Sequence, residues 1–258
     1  MKSQLIKTSC LGATMALLAG ATAIAAGPTV VRAGTLVVAI NGGIAPQKLP
    51  KAKMAPIKLR MSTNIRTSNG TQPPVAKTVT IDFDKHGTIN AKGLASCKRG
   101  KLEARTTTEA KRVCRNAIVG TGKTTVQVAF AEQAPFTSSG PLVVFNGGTR
   151  GATTTMYIHA YVNVPAAVAL VTEVRVKKVR KGRFGTRAVA RIPKIAGGAG
   201  ALTRFNLAIQ RTFKYKNKKQ SYLLARCGRG RLFANGVLAF DNGTKLTGNI
   251  VRPCTPKG

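Results

Sequence analysis

The chain reads as an all-β protein, an antiparallel β-sandwich architecture in two sandwich-like units with one short disulfide-tethered α-helix. Three observations predict it. Apolar and polar residues alternate in short runs through most of the sequence, the pattern of half-buried strands. Gly, Pro, Asn and Lys separate these runs at spacings typical of sandwiches or barrels. Four cysteines, Cys97, Cys114, Cys227 and Cys254, follow a positively led apolar leader, and an even number of cysteines in an exported chain reads as two disulfides.

The leader comes first. Lys2 and Lys7 precede a small-residue apolar run from Leu11 to Ala26, and Ala23-Ile24-Ala25 or Ile24-Ala25-Ala26 offers a small-x-small cleavage pattern, so residues 1–26 are expected to be a secretory signal peptide. Cys10 precedes the apolar run instead of closing it, which argues against a lipid anchor there. No later stretch reaches the roughly 20 apolar residues of a transmembrane helix. The mature chain is therefore expected to be secreted, extracellular or held to a cell envelope by charge, with no transmembrane segment.

The strands follow in order. Leu36 to Ile40 ends at Asn41-Gly42-Gly43; Ile57, Leu59 and Met61 alternate with Lys58 and Arg60; Val79, Ile81 and Phe83 alternate with Thr80 and Asp82. Val126 to Phe130, Leu142 to Phe145, Met156 to Val162, Leu170 to Val179 and Phe184 to Ile192 come next. Leu202 to Tyr215, Ser221 to Cys227, Leu232 to Phe240 and Leu246 to Val251 complete about a dozen. One helix interrupts them near 107–118: Ala110, Val113, Cys114, Ala117 and Ile118 recur with helical period, and Thr106 stands three residues before Glu109 as a capping box. Cys114 falls on its apolar face. Of the three possible connectivities, Cys97–Cys114 and Cys227–Cys254 are favoured because each closes a local segment. The turn-rich stretch from Glu132 to Pro141 is the best boundary, dividing an N-terminal β domain, 27–135, from a C-terminal one, 136–258.

Chemical motifs are weak. Ala117 to Thr124 satisfies a relaxed phosphate-loop pattern, but a helix precedes it and a strand follows, the reverse of what such a loop needs, so it is read as a helix stop and turn. Asp82 to Asn90 mimics the start of a calcium loop, yet Gly93 stands where the bidentate Glu belongs and His86 replaces an oxygen ligand; Asp84-Lys85-His86-Gly87 reads as a turn, with Asp82 on the wet face. His159 shares a strand face with Tyr157 and Tyr161, and without a nucleophile motif beside it is expected to be a satisfied, partly buried residue. Asn69-Gly70-Thr71 and Asn242-Gly243-Thr244 are sequons that turns explain fully. The sequence predicts no cofactor, no metal site and no catalytic residue.

Charge carries more information. The sequence holds 42 Lys+Arg against 7 Asp+Glu, a formal net charge of +35, which attracts polyanions and repels itself in the compact state. Basic residues are densest in two stretches. Arg175, Lys177, Lys178, Arg180, Lys181 and Arg183 flank a turn at Gly182, continuing to Arg187 and Arg191; Arg211, Lys214, Lys216, Lys218 and Lys219 interleave with Phe213, Tyr215 and Tyr222. Such hairpins suit phosphate-bearing or acidic chains, Arg by forked hydrogen bonds and Lys by point charge. The absence of Trp argues against stacking platforms for bases or sugars.

Phe184-Gly185-Thr186, the run from Ile192 to Gly198, Leu202 to Phe205, Lys218 to Leu223 and Glu132 to Phe136 resemble segments of uncharacterised secreted all-β proteins of actinobacteria. The resemblance implies a bacterial exported β protein and supplies no site residue. The expected function is that of a non-enzymatic envelope or extracellular protein that binds anionic polymers by surface Lys and Arg. A secreted glycosidase-like hydrolase, drawing a carboxylate pair from Asp82, Asp84, Glu103, Glu109, Glu132, Glu173 and Asp241, is the alternative, beside a purely structural surface domain.

Overall fold

The computed structural model describes residues 27–163 and 166–258; the expected signal peptide lies outside the described residues. The chain is all-β and antiparallel almost throughout, with one short α-helix. Its strands are β1 (Thr29–Ala33), β2 (Leu36–Ala45), β3 (Lys48–Pro50), β4 (Ala55–Pro56), β5 (Lys58–Thr67), β6 (Ala76–Asp84), β7 (Gly87–Ile89), β8 (Ile118–Val128), β9 (Phe136–Arg150) and β10 (Thr153–Val162). They continue as β11 (Val168–Lys181), β12 (Phe184–Arg191), β13 (Gly200–Ile209), β14 (Thr212–Tyr215), β15 (Lys218–Ser221), β16 (Leu223–Ala225), β17 (Arg231–Phe240), β18 (Lys245–Pro253) and β19 (Thr255–Lys257). Helix α1 spans Thr107–Val113.

Twelve strands form one sheet in the order β1-β2-β5-β13-β8-β9-β10-β11-β12-β6-β17-β18. The sheet rolls until its two edges meet. Thr29 Oγ1 of β1 donates to the Asn249 carbonyl of β18 at 2.9 Å, and Arg252 of β18 donates from Nε to the Gly42 carbonyl and from Nη2 to Asn41 Oδ1 on β2. The edges are thus joined by side chains and not by a backbone ladder, which covers two strands that would otherwise offer unpaired amides.

Strand alternation sends one apolar set inward: Leu59, Met61 and Ile65 on β5, Val126 and Val128 on β8, Val144 on β9, and Val174 and Val176 on β11 belong to interior clusters. A separate cluster lies on the outer wall, where α1 and the segment before it pack Cys97, Leu102, Ala110 and Cys114 over Val143, Phe145 and Val171. Glycine lets the wall bend where it is tightest. A Cβ on Gly122 would lie 2.0 Å from the Asn206 carbonyl oxygen, and one on Gly120 would lie 2.5 Å from that of Ala208.

Both disulfides pair as expected, Cys97 with Cys114 and Cys227 with Cys254, at Cα separations of 5.7 and 5.9 Å. The capping box is present: Thr106 Oγ1 accepts from the Glu109 amide, and Glu109 accepts from the Thr106 amide. The helix is shorter than its apolar period, because a 3₁₀ turn, Arg115–Ala117, takes over after Cys114.

Other boundaries differ from the sequence reading for physical reasons. Strand β2 runs through Asn41-Gly42-Gly43 to Ala45, and β8 through the glycines that read as a turn after the helix, because these glycines serve close strand packing and not reversal. Leu202 to Tyr215 divides into β13 and the first strand of a separate hairpin, β14–β15. The expected domain boundary at 135/136 falls in the link between β8 and β9, which pair with each other. Strands of the two halves interleave, β13 lying between β5 and β8, and β6 between β12 and β17, so one hydrogen-bonded sheet joins both halves. A turn-rich segment marks a hairpin link as readily as a domain boundary.

Candidate functional site

Antiparallel order sends the connections alternately to the two ends of the rolled sheet, and the two ends are unlike. At one, three links are long, 46–57, 85–117 and 210–230, beside the tight turns 151–152 and 182–183 and the C-terminal segment 254–258. They knit together there. Strand β16 pairs with β4 and β7, β19 pairs in parallel with β3, the Cys227 amide donates to the Pro50 carbonyl, and the Cys254 amide donates to that of Gly230. At the other end the links are short: 34–35, 68–75, 129–135, 163–167, 192–199 and 241–244.

Charge follows this division. The long links carry Lys48, Lys51 and Lys53; Lys85, Lys92, Lys98, Arg99, Lys101, Arg105, Lys111, Arg112 and Arg115; and Arg211, Lys214, Lys216, Lys218, Lys219, Arg226 and Arg229. Against these stand Glu103 and Glu109. The short links carry Lys194, Glu132 and Asp241. Lys98 to Arg115 belong to the segment packed over the outer wall, whereas 46–57, 85–92 and 210–230 pair with one another at the long-link end.

Both basic stretches singled out in the sequence reach the long-link end. Arg175 and Lys177 project from the outer face of β11, while Lys178, Arg180, Lys181 and Arg183 approach the β11–β12 turn, where Gly182 takes a φ of 57°. Arg183 lies over the Phe233 ring, 4.5 Å from its centroid, and its carbonyl accepts from the Lys85 amide at 2.9 Å. Lys214, Lys216, Lys218 and Lys219 are borne by the β14–β15 hairpin, and Arg211 precedes it. The hairpin is anchored by Tyr222, whose amide donates to the Arg211 carbonyl and whose carbonyl accepts from the Asn90 amide, both at 2.8 Å. Tyr222 is fully buried, and burial pushes its phenol well above the ordinary range.

The span from Lys85 to Asn90 runs between the two stretches, joined to the β11–β12 turn on one side and to β16 on the other. Sequence reading missed the basic residues of 46–57 and 85–117. No local run marks them, and only the tertiary fold brings 46–57 and 85–92 to the same end and lays 95–117 on the outer wall.

The acids are mostly engaged in structure. Arg187 donates to both oxygens of Asp82 at 2.7 and 2.8 Å; this fork holds the carboxyl below its ordinary range, with burial opposing. Asp82 is therefore buried under Arg187, not on a wet face as expected. Asp84 accepts from the His86 and Phe233 amides. Glu103 pairs with Arg99, Glu173 with Arg175, and Asp241 accepts from the Val75 amide.

His159 is fully buried under the 95–117 segment instead of partly so, with Nε2 3.0 Å from the Arg105 carbonyl and Nδ1 without a partner. Desolvation holds its imidazole below the ordinary range, against the pull of backbone carbonyls. Among the described residues, no three His, Cys, Asp or Glu side chains gather as metal ligands, and no helix is long and apolar enough to cross a membrane. Compared with known protein families, curated proteins and solved structures, the chain matches none of them.

Proposed function

We propose that the protein is an exported, non-enzymatic binder of anionic polymers, phosphate-bearing or acidic chains such as envelope polymers, acidic glycans or nucleic acid. One observation carries this reading: the links 46–57, 85–92 and 210–230 pair with one another at one end of the sheet and bring their lysines and arginines there, while the opposite links carry almost no charge. A like-charged cluster costs folding energy through self-repulsion. Concentrating it at one end, braced by a disulfide and two small sheets, supports a binding role over general solubility. Lys and Arg presented on irregular links suit a flexible polyanion, which makes many exchangeable phosphate or carboxylate contacts and needs no shaped pocket.

The test is retention of the mature chain on immobilised heparin or polyphosphate, followed against salt. Binding is expected to weaken steeply as salt rises, and K214E/K216E/K218E is expected to flatten the log–log salt slope by up to about 3, roughly one per lost phosphate contact. K194E/K245E, at the opposite end, is expected to leave the slope nearly unchanged. Flow-through of the wild-type chain at low salt, or equal effects of the two variants, would overturn the reading.

A further inference from the structure

The inner wall of the rolled sheet presents a second chemistry. On β6, inward-facing Val79, Ile81 and Phe83 keep part of their surface accessible while outward Asp82 is buried. On β5, Leu59 and Met61 behave in the same way. These side chains point inward and still lack full cover, because they border a partly open cavity of about 330 Å³ within the rolled sheet. Such a volume lies at the lower end of the roughly 300–1,000 Å³ range of small-molecule sites.

The cavity follows from strand number. Eight strands enclose an interior that side chains fill, and wider walls leave space. Here Ala160, Ala188, Ala190 and Ala234 face the void, where larger residues would close it. The wall is apolar apart from threonines and Asn41, and it acquires charged groups where Asp84 and Arg252 reach it toward the long-link end. Arg252 spends one hydrogen on each guanidinium nitrogen, on the Gly42 carbonyl, the Val251 carbonyl and Asn41 Oδ1. Each η nitrogen keeps a second N–H.

We propose that this interior is a binding chamber for a single-chain amphiphile, its hydrocarbon tail along the inner wall and its anionic head toward Arg252. An apolar chamber of this size forfeits dispersion contacts when empty, and a hydrocarbon chain restores them without asking for hydrogen bonds the wall cannot make. The site is separate from the outer basic surface and does not depend on its role.

Methionine-methyl NMR tests it in the intact mature chain. Dodecanoate is expected to shift the Met61 and Met156 signals, both on the inner wall, in a saturable one-to-one titration, leaving exposed Met54 unmoved. In parallel, a fluorescent polyene fatty acid should bind one-to-one at high salt, with A188F/A190F weakening it at least tenfold. R252Q should weaken dodecanoate several-fold while sparing dodecanol. Inner methionines that stay silent, a titration that disappears at high salt, or dodecanol bound as well as dodecanoate by the wild type would each overturn the assignment.

Discussion

His159 shows what burial does to one side chain. Its outward position on β10 would leave it wet, but the segment from Cys97 to Ala117 lies over it and withdraws water, so its neutral form is favoured. With the folded-state pKa depressed, the unfolded chain takes up the proton first as pH falls. This contribution to stability is therefore complete above about pH 6.5, the ordinary imidazole value, and is lost progressively below it. Thermal melting from pH 8 to 5 should show a decline worth at most about 1.4 kcal/mol per pH unit for one proton. H159Q should reduce that slope; an unchanged slope would refute the role. Gly122 makes the complementary point about space. With a backbone oxygen 2.0 Å from where a Cβ would stand, G122A should cost about 1–3 kcal/mol in denaturant unfolding. G43A, which meets nothing within 4 Å, should cost little.

At the scale of elements, the tethered helix depends on its staple more than on its length. Seven helical residues are too few to hold themselves in water, so α1 relies on the capping box, the Cys97–Cys114 bridge and the apolar patch on the outer wall. Replacing both cysteines with Ala should lower stability by about 3 kcal/mol, as expected for a bridge across 17 residues. Hydrogen exchange should then rise first in 95–117, with β9 and β10 still protected. Uniform exchange across the sheet would mean that the helix is integral to the wall and not laid upon it. The strands show where periodicity is legible: β5, β6 and β10 alternate cleanly and stand close to where sequence places them. Strand β1 and the short β3, β4, β7 and β19 escaped notice because two to five residues carry too little period to distinguish from a link.

At the scale of the molecule, one topological fact governs both proposed sites. Antiparallel order alternates the links between two ends, and rolling the sheet separates an inner wall from an outer one. The first gathers the basic links at one end; the second encloses the apolar chamber. Heparin retention should therefore survive A188F/A190F, and dodecanoate shifts at Met61 and Met156 should survive K214E/K216E/K218E. Loss of both functions in either variant set, with melting unchanged, would show that the two surfaces form one site.

Sequence alone determined the all-β antiparallel class, the capping box, both disulfide pairings and the sign of the charge, but not the single rolled sheet in place of two sandwich-like units, because each of the former rests on local period, short spacing or composition. It could not tell where the charge gathers or whether the inward faces touch. Lys53, Lys85 and Lys216 are far apart along the chain and come to one end only through strand order, while Met61 and Met156 face one void only because the sheet rolls. Both depend on pairings between residues distant in sequence. Alternation reports which side of a strand is apolar, but it carries no record of the partner strand or of how far the facing wall stands away.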